Sequence, residues 1–458
     1  MDIGSIKKIH CIGIGGIGVS AIARFFRSRG AEVSGTDAVE SDETSDLRKE
    51  GVVVATPHGK EYVPQDADVI IYSPAIPDDN EEIIYAREHN IQILSYPEAL
   101  GRITEYFTSI TVSGTNGKTT TTAILGKMLE AGEKDPTVIV GGKVPGWDKN
   151  LRLGGSDIFV AEACEYKRAM LNMSPHIIVL TNIEEDHLDY YKDIDDITDA
   201  FVEYVAKLNE DDLLVYNADD PYSKMVANTA MSRMVSYGLS DNSDIQAKDI
   251  VVKGGTQTFS LVVYGEKKGK LTTHVPGVFN IYNILAGVAV SLDMGVTLEQ
   301  IQKALDNYSG IWRRFEKVGE FNDVVIISDY GHHPRAIKNT LLAAREYYPG
   351  KKVLVVFQPH HRDRTAKLFD DFVRSFTDAD EVILSEIYHV EGREDTGPEI
   401  SSKDLVRAIE NEGGVDMISY AKDLETTEKM IRKKAKDFGV VLIMGAGNID
   451  GVARNLVD

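Results

Sequence analysis

Two cysteines in 458 residues, Cys11 and Cys164, are too few for a disulfide framework and sit in different segments, which fits a reducing compartment. Basic residues are also short: 50 Lys and Arg against 72 Asp and Glu leave a formal charge of −22. Such a balance argues against nucleic acid or an anionic membrane as partner, so an anionic ligand has to be met by local basic groups and backbone dipoles. No stretch reaches the ~18 apolar residues that span a bilayer, and the N-terminus lacks a charged segment followed by an uninterrupted apolar one. Low-complexity tracts and internal repeats are missing as well. A soluble, cytoplasmic chain is expected, and its length suggests roughly three domains at ~150 residues each. No sequence feature points to an oligomeric state.

What is present is alternation. Over residues 8–106, apolar β-type runs at 9–14, 33–35, 69–72 and 91–94 are separated by amphipathic helical stretches, the pattern of βαβ units and a mainly parallel sheet. A second alternating unit begins at the Ile110 strand and continues through runs at 158–161, 177–180 and 213–216. It carries a more β-rich insertion at 250–275 and closes near Tyr308. A third has strand-like runs at 324–328, 353–357, 381–384 and 440–444. The expected fold class is α/β with three domains in series. Residues 1–107 are Rossmann-like, 108–312 are P-loop ATPase-like with a mainly parallel sheet, and 313–458 are again Rossmann-like. The segment GIWRRFE at 310–316 is the expected hinge, with closure around substrates to keep water out.

Residues 111–122 read TVSGTNGKTTTT: an apolar strand, a four-residue glycine loop, then Lys118 and threonines opening a helix. Gly114 and Gly117 let the backbone turn its N–H groups toward phosphate oxygens, Lys118 adds a point charge, and the Thr119 hydroxyl can ligate Mg²⁺. ATP use is the expectation; a Gly-rich turn with no ligand is the alternative. Near the start, Gly13, Gly15 and Gly18 stand in G-x-G-x-x-G spacing between strand and helix, with Asp37 ending the next strand. Alone this suggests NAD. Beside the second phosphate loop it reads better as the seat of a nucleotide-linked substrate's diphosphate, and glycines serving only turn and packing are the remaining alternative. The loop YSPAIPDDN at 72–80 leaves a strand at its carboxyl end, where open α/β sheets bind ligands.

Acid-rich segments follow two central strands: VAEACEYKR at 160–168 and TNIEEDHLDYY at 181–191. Glu162 and His187 are candidates to complete a Mg²⁺ site with Thr119. Glu165, Glu184, Glu185, Asp186 and Asp189 are assigned to surface charge or to support behind the ligands. In the third unit, ISDYGHHPRAIKNT at 327–340 and FQPHHRDRT at 357–365 bring His, Tyr and Arg to strand ends. That composition suits a carboxylate, which Arg pairs with two prongs. A metal site of His332, His333, His360 and His361 competes, but no cysteine or acidic ligand spacing accompanies them.

Together GIGGIG, SGTNGKTTTT, EACEY, TNIEEDHLD, GxxRRF, DYGHHP, QPHxxxRT and GAG resemble the Mur ligases of cell-wall synthesis, in one unbroken order from Ile9 to about Gly451. Within that family, DYGHHP and QPHxxxRT favour members that add L-alanine over those that add D-glutamate, a diamino acid or a recycled tripeptide. The resemblance implies that ATP phosphorylates the lactyl carboxylate of UDP-N-acetylmuramate and that the L-alanine amine attacks the acyl phosphate. It implies ATP contacts from Gly114, Thr115, Asn116, Gly117, Lys118, Thr119 and Thr120, an adenine contact from Asn283, and Arg314 and Asp329 near the phosphates and ribose. Thr119 and Glu162 would bind one Mg²⁺ and His187 a second. Gly13, Gly15, Gly16, Ile17, Gly18, Asp37, Ser73 and Ala75 would hold the UDP-sugar, and Tyr330, His332 and Arg364 the L-alanine. Lys118, Glu162, His187 and His332 form the implied catalytic group. The chain departs from the family pattern at Phe279, where relatives carry His, at His361–Arg362, where an Arg is often followed by an aromatic, and at Ser328 and Asn448, which replace Asp. From other classes, a non-catalytic UDP-sugar sensor is disfavoured by the intact Lys118, Glu162 and His187. An NAD oxidoreductase is disfavoured by the second nucleotide loop.

Overall fold

The computed structural model describes residues 3–147, 149–187, 190–389, 399–415 and 417–457, so Asp189 lies outside the described residues. Three sheets follow one another along the chain. The first is parallel, in the order β3-β2-β1-β4-β5, built from β1 Lys8–Ile12, β2 Glu32–Thr36, β3 Val53–Ala55, β4 Val69–Tyr72 and β5 Ile93–Ser95. Its strand order reverses between β1 and β4, so their carboxyl ends flank the switch point where such sheets take ligands.

The second sheet comprises β6 Thr108–Ser113, β7 Thr137–Ile139, β8 Leu151–Arg152, β9 Ile158–Ala163, β10 Ile177–Leu180, β11 Leu213–Asn217, β12 Arg233–Gly238, β13 Ile245–Lys253, β14 Thr256–Val263 and β15 Glu266–Thr273. Its order is β15-β14-β13-β12-β11-β10-β6-β9-β7-β8, which places β6 between β10 and β9, parallel to both. The third comprises β16 Glu316–Phe321, β17 Val324–Asp329, β18 Val353–Phe357, β19 Glu381–Ser385, β20 Met417–Ala421 and β21 Val440–Met444, in the order β16-β17-β21-β18-β19-β20. Only β16 and β17 pair antiparallel there. The α/β class and the three domains in series are as expected. The sequence reading passes over β16 and β20 because both are edge strands with polar, part-exposed faces, EKVGEF and MISYA.

The described residues gather into two compact units. One is Met1–Ala247 with Leu261–Lys268 and Tyr282–Leu305; the other is Lys248–Ser260 with Gly269–Ile281 and Asp306–Asp458. In the first, one hydrophobic core runs from Ile9 and Phe25 to Phe159 and Phe201, and Phe25 stands edge-on to Phe107 and Phe159 with ring centroids 6.2 Å away. In the second, β21 is buried throughout and alternates between two cores. Val440, Leu442 and Met444 join Phe357 on one face, and Val441 and Ile443 join Leu354 on the other.

Under the first sheet lies a buried polar network. Glu82, fully enclosed, places Oε2 2.8 Å from His10 Nε2, while its Oε1 accepts the Thr36 hydroxyl at 2.7 Å and lies 3.1 Å from His58 Nδ1. Burial alone would raise the pKa of this carboxyl, but the hydrogen bonds from His10, His58 and Thr36 outweigh it and pull the value down to about 2 from 4.5. With the folded pKa below the unfolded one, the stabilisation is complete above pH 4.5 and is lost as pH falls toward 2. The shift corresponds to about 3 kcal/mol. Urea titrations at pH 5 and pH 2.5 should show a loss of that order in the wild-type protein beyond the loss in Glu82→Gln. Identical acid slopes for the two proteins would refute the assignment.

Candidate active site

Strand β6 ends at Ser113, whose hydroxyl donates to Ala163 O at 2.7 Å, and Gly114 then turns with φ of 130°. A Cβ on Gly114 would come within 2.1 Å of Thr181 Oγ1, and one on Gly117 within 2.5 Å of Asn283 Oδ1. Both glycines are therefore required by close packing as well as by positive φ. Gly117, at φ 85°, caps the helix Lys118–Ala131, whose first internal bond runs from Thr121 N to Gly117 O. The amides of Lys118, Thr119 and Thr120 thus form the N-terminal turn of a helix that follows a glycine loop, the arrangement that favours an anion. The two preceding amides are used differently from the expectation. Thr115 N donates to Asn182 O at 2.8 Å and Asn116 N to Asn182 Oδ1 at 3.0 Å, because β10 lies beside β6 and its end reaches the loop.

Two carboxylates flank the first residues of this helix. The Thr119 hydroxyl donates to Glu162 Oε2 at 2.9 Å, and Glu162 Oε1 accepts the Gly141 amide. Glu162 sits one residue before the end of β9, in register with Val112 of β6. Lys118 Nζ donates to Gly114 O at 2.6 Å and Thr115 O at 3.1 Å, and lies 2.8 Å from Glu165 Oε2. Burial works against the Lys118 ammonium, yet Glu165 more than offsets it, so the pKa is raised. The same pair holds the Glu165 carboxyl below its ordinary range against the effect of burial.

The sequence reading left Glu165 between surface charge and support behind the ligands, and the structure gives it the second place, against Lys118. Its side chain is 3% exposed, its backbone oxygen accepts the Tyr191 hydroxyl at 2.5 Å, and His187 Nε2 lies 3.4 Å from Oε1. His187 also rests against the Tyr166 ring, centroids 4.7 Å apart. The only local signal was the second acid of E-x-x-E just after a strand. Asn283, on the helix Val278–Asp293, accepts the Thr121 hydroxyl at 3.2 Å and so stands beside the loop. Glu184 contributes backbone and side-chain contacts to Thr115 and Asn116, and Glu185 is exposed.

At the first sheet's switch point Gly13, φ 75°, and Ile14 donate their amides to Thr36 O at 2.8 and 3.0 Å. Gly15 N donates to Asp37 Oδ2 at 2.8 Å, so this carboxylate ties down the glycine turn. Gly16 precedes the helix Ile17–Ser28, and a Cβ on Gly18 would come within 2.7 Å of the Tyr96 ring. On the β4 side Ser73 N donates to Ile12 O at 3.0 Å, and Ala75 N lies 3.3 Å from Ser73 Oγ. All eight residues expected around the UDP-sugar belong to these two turns or to the helix and strand ends that meet there.

In the second unit Asp329, the last residue of β17, accepts the amides of Phe315 and Gly331, each at 2.7 Å. Burial raises its pKa despite nearby Arg314. Arg314 lies over the Tyr330 ring at 4.6 Å, and Arg313 does so at 5.0 Å while donating to the backbone oxygens of Gly445 and Gly447. The sequence reading gave a role to Arg314 alone; Arg313 is the one buried in the backbone turn. His332 Nδ1 lies 3.0 Å from Tyr330 O, and its ring is 5.9 Å from that of His360, which stacks on Tyr388. His360 thus links the turn after β17 to the turn after β18, where Arg364 stands in the helix Arg362–Lys367. Among the described residues no group of three or more His, Cys, Asp or Glu is arranged to hold a metal. Three of the departures have local partners: the Ser328 hydroxyl donates to Asp450 at 2.5 Å, Asn448 Oδ1 accepts from Gln358 at 3.1 Å, and Phe279 packs against the core of Phe315 and Phe357.

Three family profiles match the chain in sequence: "Mur ligase family, catalytic domain" over residues 8–108, "Mur ligase middle domain" over 112–291, and "Mur ligase, glutamate ligase domain" over 313–447. The UDP-N-acetylmuramate--L-alanine ligase of Clostridium novyi (strain NT) is 39% identical over 456 residues, 99% of this chain and 97% of that protein. The protein of the same name from Clostridium acetobutylicum is 40% identical over 97% of this chain and 96% of its own length. Among solved structures, UDP-N-acetylmuramate-alanine ligase MurC from Thermotoga maritima superposes with a TM-score of 0.83 at 30% identity, covering 98% of both chains. The murein peptide ligase of Psychrobacter arcticus 273-4 reaches 0.72 at 25% identity over 98% of both.

Proposed function

This chain belongs to the Mur ligase family, and on that premise we propose that it joins L-alanine to the lactyl carboxylate of UDP-N-acetylmuramate at the expense of ATP, with Mg²⁺. The reading is supported by the names of its full-length relatives and by one local observation. A lysine and a threonine open a helix after a glycine loop, and each is held by a different carboxylate, Glu165 and Glu162. A cytoplasmic location is part of this reading, supported by membership of a ligase family whose substrates include ATP and nucleotide-linked precursors. Among the described residues no helix is long and apolar enough to cross a membrane.

In this reading the lactyl carboxylate oxygen attacks the γ-phosphorus and the bond to ADP breaks. The alanine nitrogen then attacks the acyl carbon, the carbon–oxygen bond to phosphate breaks, and the nitrogen gives up a proton. The Lys118 ammonium and the amides of the helix N-terminus hold the phosphates. The Thr119 hydroxyl, the Glu162 carboxylate and the His187 ring supply donors suited to Mg²⁺, which when bound neutralises the charge on the transferring group. Asn283 stands beside the loop for the nucleoside, with Arg314 and Asp329 assigned to phosphates and ribose. Gly13, Gly15 and Gly18 shape the turn for the UDP diphosphate, Asp37 keeps that turn closed, and Ser73 and Ala75 line its other side. Tyr330, His332 and Arg364 take the amino acid, with Arg364 directed to its carboxylate. Positioning and charge neutralisation carry the rate, since the protein forms no covalent bond.

Incubation with UDP-N-acetylmuramate, ATP, Mg²⁺ and a panel of L-alanine, glycine, L-serine and the muramyl tripeptide should release phosphate with L-alanine as the best acceptor. Release driven best by the tripeptide would move the chain to the recycling branch of the family, and no release with any acceptor would refute ligase activity.

A further inference from the structure

The Lys118 ammonium has three donors, and three acceptors surround it: Gly114 O at 2.6 Å, Thr115 O at 3.1 Å and Glu165 Oε1 at 3.0 Å. The amine meant for phosphate is thus folded back over its own loop. Glu165 is nearly enclosed and anchored from behind, with its backbone oxygen on the Tyr191 hydroxyl and His187 beside its carboxylate. A triphosphate entering the loop meets this carboxylate at the ammonium it needs, and like charges at such separations repel strongly where water is excluded.

We propose that Glu165 is a positioning residue that holds Lys118 over the glycine loop and makes nucleotide binding depend on a divalent cation. Lys118 exchanges Glu165 for phosphate only when the nucleotide arrives with enough positive charge to balance the carboxylate it leaves behind. Glu162, 2.9 Å from the Thr119 hydroxyl, adds a second negative charge next to the same turn, so metal-free ATP faces two carboxylates with one lysine. The effect belongs to binding and precedes any chemistry. It rests on the reading of this loop as the ATP site.

The test is equilibrium binding of a non-hydrolysable ATP analogue, in EDTA and in Mg²⁺, to the full chain. The wild-type protein should bind the metal-free analogue at least about tenfold more weakly than the Mg²⁺ form. Glu165→Gln, which keeps the shape and removes the charge, should tighten metal-free binding about tenfold and close most of that gap, while Glu165→Asp should keep it. Metal-free binding unchanged by Glu165→Gln overturns the proposal. So does equal affinity of the wild-type protein with and without Mg²⁺, a result that needs no variant. Failure of the wild-type protein to bind the analogue even with Mg²⁺ would instead remove the ATP-site reading beneath it.

Discussion

Replacing Lys118 with alanine lowers phosphate release by about 10³-fold or more while leaving affinity for UDP-N-acetylmuramate within about twofold. Removing one preorganised charge stabiliser from a site of this kind costs 10²–10³ in rate. Here the loss is compounded, because Glu165 then remains as a buried carboxylate without its cation, 3% exposed, at the place the triphosphate must occupy. Stranding one partner of a buried ion pair costs about 3–5 kcal/mol, so a lower melting temperature accompanies the lost activity. The double variant Lys118→Ala/Glu165→Gln separates the two effects: it should recover most of the stability and little of the activity. Phosphate-release kinetics, calorimetric titration of the UDP substrate and thermal melts measure the three quantities. Near-wild-type turnover in Lys118→Ala would remove the lysine from the phosphate-binding role.

Glu162→Gln is the second large effect, and its signature lies in metal dependence. Oε2 receives the Thr119 hydroxyl and Oε1 the Gly141 amide, so the carboxylate is oriented by two protein donors. The amide of glutamine keeps one acceptor and offers a donor that the Thr119 hydroxyl can accept by rotating, so folding should change little, by about 1 kcal/mol. What is lost is the anionic charge that draws Mg²⁺ to the Thr119 hydroxyl. The expected result is a fall of about 10²–10³-fold in turnover at millimolar Mg²⁺, with half-saturation displaced to higher Mg²⁺ and the Michaelis constant for L-alanine nearly unchanged. A Mg²⁺ titration of phosphate release reads this directly, and an unchanged half-saturation would exclude Glu162 as a ligand.

These two residues were legible before any coordinates because their signals are local. A lysine after G-T-N-G and an acid at the end of an apolar run each declare their chemistry within a dozen residues. Glu165 was not legible on the same grounds. In an acid-rich segment a glutamate just past a strand is ordinarily solvated, and its burial depends on Lys118, 47 positions earlier, and on Tyr191, 26 positions later. Asp37 carries a contact that its place after the second strand did not reveal: its carboxylate accepts the Gly15 amide. Asn182 has no part in the sequence reading, yet it takes two amides of the glycine loop.

The amino-acid sequence alone determined the α/β class, the positions of the strands, the glycine loop with its lysine and the family, since strand periodicity, glycine backbone freedom and lysine charge act over short stretches. Tertiary structure decided which carboxylate holds Lys118, which loop amides remain for an anion, and how the turns after β17 and β18 meet through His332 and His360. Those outcomes follow from sheet order: β6 lies between β9 and β10, and β21 between β17 and β18. Side chains distant in sequence become partners only once the neighbouring strand has been chosen.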